Sequence, residues 1–343
     1  MPDMLLAMTS EAMTSDFLGK PVWAWAGFIA IVLTLLAFDL GVLHRRPREI
    51  GVRESLVLSG VYIALALAFG GLVWFWFGAR AGMDYLTGFA VEKTLALDNV
   101  FVIALIFGYL GVPRRLQHRV LLWGVIGVIV LRAIMIGFGA ALVASFSWTL
   151  YLFAAFLIVT GVKMLMMNDE PADMSRNWLL LFLRRRLRLV DDLEEERFFV
   201  RRPDSASGRM VLWTTPLFVA LVLVEFADVV FAVDSVPAIF AITTDPFVVY
   251  TSNIFAILGL RALYFALAAV IERFRYLKPA LAAVLIFIGG KVFAADLLGL
   301  EKIPPAVSLG VTLGILATGV IYSLWRSAGS PERQTEEPGA APR

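Results

Sequence analysis

The chain alternates between long apolar stretches and short polar connections along most of its length. A helix that crosses the hydrocarbon part of a bilayer needs about 20 mostly apolar residues, and nine stretches meet that requirement. They cover residues 22–43, 54–77, 85–110, 119–144, 148–167, 214–241, 247–271, 279–298 and 305–325. The pattern therefore predicts an all-α polytopic membrane protein with nine transmembrane helices.

Composition supports this interpretation and removes several classes of function. The 343 residues are 60% hydrophobic and 17% charged, with a mean hydropathy of +0.82, which exceeds what a soluble domain carries. There is no cysteine, so disulfides, thiol redox motifs and thiolate metal sites are excluded. No connection contains an ATP-binding P-loop. We expect a protein that is not an enzyme, has no cofactor and binds no nucleic acid.

Basic residues are concentrated in alternate connections. The first connection contains four arginines, whereas the second contains one. Because Lys and Arg favour the cytoplasmic side, we expect residues 1–20 outside the cytoplasm and a membrane domain over residues 21–325. The tail, residues 326–343, is expected to be cytoplasmic and disordered because it is rich in Pro, Gly, Glu and Arg.

One connection, residues 168–213, is much longer than the others. It carries nine arginines and an acidic run over residues 191–196. Such a basic cytoplasmic segment is typical of an amphipathic hairpin that lies on anionic lipid headgroups. Regulatory metal sensing by the acidic run is the alternative.

Two apolar segments share an acidic motif. VEKTLALDNVFV begins at Val91 and ADVVFAVDSVPA begins at Ala227. Each copy has two acids six positions apart: Glu92 and Asp98 in the first, Asp228 and Asp234 in the second. Because charged side chains inside a bilayer are unfavourable, an intramembrane acid indicates a functional site. The repeated pair therefore predicts a route for ions.

The repeat extends beyond the acids. GVIVLRAIM matches AILGLRALY and aligns Arg132 with Arg261, and AAFLIVTGVKML matches AAVLIFIGGKVF and aligns Lys163 with Lys291. Each unit contains three predicted helices, over residues 85–167 and residues 214–298. An odd number of helices reverses the second unit in the membrane, which is typical of secondary transporters with a substrate site at the repeat interface.

The candidate metal site is rich in oxygen. The predicted depths place Glu92, Glu225 and Asp228 near the middle of the bilayer, with Asp98 and Asp234 toward opposite faces. Pro237 cannot donate a hydrogen bond within its helix, so we expect the backbone to open beside Asp234. The supporting ligands that we expect are Asn99 and Ser235. This donor set, with neither cysteine nor intramembrane histidine, favours Mg²⁺, Ca²⁺ or Mn²⁺.

Basic residues in the same helices leave a second interpretation open. Lys93, Arg132, Lys163, Arg261 and Lys291 are the candidate charge partners or gating residues. Arg132 and Arg261 are the expected structural partners of acids, while Lys163 and Lys291 are expected to repel metal after release. In that interpretation at least two acids hold helices together rather than bind metal. Asp39, near the cytoplasmic end of the first helix, lies at a possible mouth of the route.

These segments resemble the TerC family of integral membrane proteins, and within it the bacterial Alx type. The resemblance is carried by EKTLALDNVFV from Glu92, GVPRRLQHRVLLWGVIGVIVLRAIMI from Gly111, LVEFADVVFAVDSVPAIFAITTDPFVVYTSNIFAILGLRALYF from Leu223 and AVSLGV from Ala306. It implies a LysE-superfamily-like fold in the bacterial inner membrane and export of Mn²⁺ through the five acids Glu92, Asp98, Glu225, Asp228 and Asp234.

Export of Mn²⁺ in exchange for protons, or driven by the membrane potential, is therefore the leading hypothesis. Transport of Ca²⁺ or Mg²⁺ is the first alternative, since ligand type does not separate these ions. A membrane assembly or redox-modulating protein without transport is the second.

Overall fold

The computed structural model describes residues 15–41, 51–146, 148–166, 177–190, 197–203, 209–267, 277–299 and 303–328. The protein is mostly helical. The helices in these ranges are α1 (Val22–Gly41), α2 (Val52–Tyr109), α3 (Arg114–Ser145), α4 (Thr149–Met166), α5 (Trp178–Arg186), α6 (Pro216–Ile242), α7 (Pro246–Leu258), α8 (Leu260–Leu267), α9 (Leu277–Leu297) and α10 (Pro305–Ala328). The strands are β1 (Asp16–Phe17), β2 (Lys20–Pro21), β3 (Phe199–Pro203) and β4 (Met210–Thr214).

Seven helical stretches in the described ranges are long and apolar enough to cross a membrane, and α1 contributes a shorter apolar stretch. A polytopic helical membrane protein is thus confirmed. The structure is consistent with the all-α prediction, and it adds two short antiparallel ribbons, in which β1 pairs with β2 and β3 with β4. Helix α5, β3 and most of β4 lie in the long basic connection, residues 168–213.

Helix α2 folds back on itself at Gly78. This residue has φ 88° and ψ 168°, outside the helical region, and glycine adopts positive φ without a steric penalty. The hydroxyl of Tyr85 donates a hydrogen bond to the carbonyl of Ala66 at 3.0 Å, whereas in a straight helix these residues would be about 28 Å apart. Helix α2 is therefore a hairpin with a first arm, residues 52–77, and a second arm, residues 79–109.

The second arm of α2 packs with α3, α6 and α7 in the centre of the bundle. Gly139 of α3 lies against Val236 and Phe240 of α6, and Gly127 of α3 lies against Glu225. The residue numbers of the contacting pairs increase together along the two helices, so α3 and α6 run parallel. The stretch that contains α7 is almost wholly buried within the protein, so its polar side chains face other helices rather than lipid.

Helices α4 and α9 pack closely through a pair of glycines. A side chain added at Gly161 would meet Ala282 and Ile286, and one added at Gly289 would meet Ala154 and Ile158. The contacts show that the two helices run antiparallel. In the repeated segments AAFLIVTGVKML and AAVLIFIGGKVF, Gly161 aligns with Gly289, and the residues that each glycine contacts also align with each other. Each helix therefore contacts the other through equivalent positions, and the packing is reciprocal in this sense.

The α4–α9 contact should be sensitive to one added methyl group. We expect Gly289→Ala to lower the free energy of unfolding by about 1–3 kcal/mol, because its methyl group would overlap the backbone oxygen of Ala154. The matched control is Gly290→Ala, whose methyl group would meet no atom within 4 Å. Thermal melting in detergent compares the two, and equal melting temperatures would contradict this packing.

Candidate intramembrane cation site

A buried guanidinium joins the central helices. Arg132 of α3 is only 1% exposed. Its Nη1 donates to Glu92 of the second arm at 2.6 Å, Ser235 of α6 at 2.8 Å and Asn253 of α7 at 3.0 Å. Its Nε and Nη2 donate to both carboxylate oxygens of Asp228 on α6, at 3.1 and 3.0 Å. These five residues are called the Arg132 network below.

The local sequence of α3 explains why the arginine faces inward. Gly124, Val128, Arg132 and Ile136 are all buried, and residues four apart lie on one face of a helix. Small and apolar neighbours on this face let α3 approach α6 closely. The guanidinium is thereby carried into the interior, where it is stable only because carboxylates and neutral oxygens surround it.

Asn253 completes the network from α7. Its side-chain nitrogen donates to the second oxygen of Glu92 at 3.1 Å, while its side-chain oxygen accepts from Arg132. Sequence analysis missed this residue. The available signal was a run of polar residues, Thr251, Ser252 and Asn253, in an otherwise apolar predicted span. All three are buried.

Asn99 lies beside Asp228 at the edge of the network. Its side-chain nitrogen donates to Asp228 at 3.4 Å. Its side-chain oxygen is buried and has no hydrogen-bond partner within the described part of the chain. Asn99 therefore presents a further neutral oxygen next to a carboxylate.

Glu225 lies one helical turn before Asp228 on α6. Both of its carboxylate oxygens are buried, and neither has a hydrogen-bond partner among the described residues. The carboxylate rests on the backbone of α3 at Gly127, where any side chain larger than hydrogen would overlap it, and it lies within van der Waals distance of the Cβ position at Gly124. A buried carboxylate without a partner is costly, so this position requires a functional or structural explanation.

Asp234 faces a different neighbour. It accepts a hydrogen bond from Thr160 of α4 at 3.4 Å, and Lys163 lies one turn further along α4. Adjacent helical residues point about 100° apart, which explains why Ser235 reaches Arg132 while Asp234 points toward α4. The four predicted site acids whose side chains are described therefore occupy two places. Glu92, Asp228 and nearby Glu225 belong to the region of the Arg132 network, and Asp234 lies at the α4–α6 contact.

Three of the predicted residues have side chains outside the described part of the structure. Asp98 lies on the second arm of α2, Arg261 on α8 and Asp39 on α1, and only their backbone is described. Their roles stay predictions. Within the described residues, no group of three or more acidic or histidine side chains is close enough to hold a metal ion together.

Lys93 and Lys291 each donate a hydrogen bond to a neutral oxygen. Lys93 donates to the carbonyl oxygen of Ala256 on α7 at 3.1 Å. Lys291 donates to the hydroxyl of Ser308 at 2.8 Å and lines a cavity of about 290 Å³, together with Asp84 and Asp296. This cavity lies at the ends of α6 and α9 and is distinct from the Arg132 network.

The expected break at Pro237 is not present. Helix α6 continues from Pro216 through Ile242 with Pro237 inside it. Proline removes one hydrogen bond, to the carbonyl of Val233, but the neighbouring side chains Val236, Ala238 and Ile239 are all buried. Packing on both sides of the proline holds the helical path, so the expectation of an open backbone beside Asp234 has to be corrected.

The chain is similar to a family of membrane proteins. Residues 77–330 match the Integral membrane protein TerC family. The chain is 45% identical over 314 residues to the uncharacterized membrane protein STKORF319 of Myxococcus xanthus, covering 92% of this chain and 96% of that protein. It is 46% identical over 316 residues to Alx of Escherichia coli (strain K12), described as a proposed membrane-bound redox modulator, covering 90% and 95%.

A membrane protein of Rickettsia bellii (strain RML369-C) is 44% identical over 303 residues, covering 88% of this chain and 97% of that protein. No solved structure matches the chain. The family match includes α3, α6 and α7 and the second arm of α2, which carry the Arg132 network. On this evidence the chain belongs to the TerC family of integral membrane proteins.

Proposed function

We propose that this protein is a secondary transporter that exports Mn²⁺ from the cytoplasm through its intramembrane acids. The metal is the transported substrate, and protons or the membrane potential supply the driving force, since the sequence contains no P-loop for ATP. The proposal places the protein in a bacterial inner membrane with its C-terminus in the cytoplasm, as the distribution of arginines favours.

The observation that carries the proposal is an excess of buried oxygen atoms around Arg132. One guanidinium faces two carboxylates, from Glu92 and Asp228. The carboxylate of Glu225 and the amide oxygen of Asn99 lie close by without a hydrogen-bond partner in the described structure. A network that served only packing would leave few such groups, because each one is destabilising. Oxygen donors in excess suit a hard divalent cation.

Nine spans and an inverted repeat belong to the proposal. The seven candidate stretches become nine spans when the α2 hairpin is counted as two spans and the shorter apolar helix α1 is added. The reciprocal glycine packing of α4 and α9 supports a two-fold relation between the repeats, because such an axis in the membrane plane makes equivalent helices antiparallel. The LysE-superfamily-like arrangement is also part of the proposal, and it comes from the resemblance to the TerC family.

The structural alternative rests on a specific observation as well. Every nitrogen of the Arg132 guanidinium donates to an oxygen of the network, which is what a buried ion cluster that holds helices together requires. On this view the protein is an assembly or redox-modulating factor of the membrane. A thiol-based redox role does not fit the chain, because it contains no cysteine.

Asparagine substitutions separate transport from packing. In proteoliposomes, we expect Asp98→Asn and Asp234→Asn to reduce Mn²⁺ flux to the level of protein-free vesicles, because each removes a charged oxygen ligand, while folded protein accumulates normally. A packing role predicts loss of folded protein instead. Normal flux in both variants would refute the proposed route.

Metal preference separates the transport hypotheses. We expect Mn²⁺ to enter or leave vesicles faster than Ca²⁺ or Mg²⁺ at equal concentration, measured with a metal-sensitive dye and by mass spectrometry. Ca²⁺ flux equal to or faster than Mn²⁺ flux would assign the protein to a different hard cation, since all three ions accept oxygen ligands.

The contact between α3 and Glu225 gives a test with a matched control. We expect Gly127→Ala to lower Mn²⁺ flux strongly, because its methyl group would displace the Glu225 carboxylate. Gly124→Ala, where the methyl group would make ordinary van der Waals contacts, should retain flux. Equal flux in the two variants would show that the position of Glu225 does not matter for transport.

A further inference from the structure

We propose that Arg132 is a tethered cation that exchanges with the transported metal: it occupies the carboxylate site when no metal is bound, and the metal displaces it toward Glu225. This inference rests on the proposed function and deepens it, because it assigns the step by which the site is filled and emptied. Arg132 is then a positioning residue for the carboxylates rather than a metal ligand.

The oxygen atoms that hold the Arg132 guanidinium are also suitable ligands for the metal. The guanidinium contacts Glu92, Asp228, Ser235 and Asn253 at 2.6 to 3.1 Å. These are carboxylate, hydroxyl and amide oxygens, the donor types that hard divalent cations take. Because the same atoms serve both cations, the guanidinium and a metal bound by this oxygen set exclude each other.

Charge makes the site more stable with either cation bound than with neither. With Arg132 in place, Glu92 and Asp228 carry two negative charges against one positive charge, whereas a divalent cation balances both carboxylates. Without either cation, two carboxylates would face each other in a medium of low dielectric constant, which is strongly unfavourable. A tethered arginine prevents that state after the metal leaves, so a transporter with this device can return without its substrate.

The structure also provides a destination for the displaced guanidinium. Side chains of a helix lean toward its N-terminus, and on α3 this direction leads from Arg132 toward Gly127. There the carboxylate of Glu225 lies against α3 without a hydrogen-bond partner in the described residues. Glu225 is one turn from Asp228, a distance of about 5 Å along the helix, which is within the reach of an arginine side chain.

Other charges around this region are already engaged or point elsewhere. Lys93 donates to the carbonyl of Ala256, and Lys163 lies near Asp234 on the far side of α6. In the described structure, Arg132 is thus the base that forms ion pairs with both Glu92 and Asp228.

The test is equilibrium binding of Mn²⁺ to the full-length protein in lipid nanodiscs. Binding is measured as the loss of the electron paramagnetic resonance signal of free Mn²⁺. We expect Arg132→Gln to bind Mn²⁺ roughly tenfold more tightly than wild type, a typical size for coupling between two ligands, and to transport it more slowly. Its melting temperature without metal should be lower and should rise more on addition of Mn²⁺. Unchanged or weaker binding would overturn the inference.

Two further variants keep the test decisive. If Arg132→Gln does not fold, Arg132→Lys replaces it, because lysine keeps the charge but lacks the planar fork that holds both oxygens of Asp228. It should bind Mn²⁺ a few times more tightly, and equal or weaker binding counts against the inference. Lys93→Gln is the control for a general charge effect, and an equally large gain there would also overturn the inference.

Measurements on the wild type distinguish failure of the proposed transport function from failure of the arginine–metal exchange. If the wild type neither binds nor transports a divalent cation, the proposed function fails, and the exchange fails with it. If the wild type binds and transports Mn²⁺ while the arginine variants bind it no more tightly, the transport function stands and the exchange alone is refuted.

Discussion

A carboxylate in the interior of a bilayer must be hydrogen-bonded, paired with a cation or neutralised, and the centre of this protein is organised by that requirement. Glu92 and Asp228 come from helices of opposite direction and meet at one guanidinium. Asn253 fixes Glu92 from a third helix. The position of α2, α3, α6 and α7 therefore depends on the Arg132 network, and so does the geometry of every oxygen around it.

Close approach of the helices makes this network possible. Gly127 and Gly139 allow α3 to lie against α6, and Gly161 and Gly289 allow α4 to lie against α9. Helices in a bilayer gain little from the hydrophobic effect and associate through packing and interhelical hydrogen bonds. Small residues beside buried polar groups are thus part of one arrangement, in which the glycines bring the oxygen atoms within reach of the arginine.

The same arrangement connects stability with transport. A buried network that satisfied all of its oxygens would be an inert clamp, whereas here Glu225 and Asn99 retain unpartnered oxygens in the described structure. In the proposed exchange, an internal cation competes with the substrate, so one set of carboxylates would stabilise the helices and still bind a metal. The packing role and the transport role of the buried charges would then alternate in time.

The membrane class, the approximate bounds of most long helices, the duplicated acids and the family could all be predicted from the sequence, because apolar length and motif spacing are local properties of the chain. Arg132 was also predicted as a partner for acids. The folded protein adds that this partner serves Glu92 and Asp228 together and that Asn253 joins them. It adds as well that Asp234 turns toward Thr160 and that α6 continues through Pro237. These outcomes depend on which helix faces which, and helix neighbours are set by packing between segments far apart in the chain.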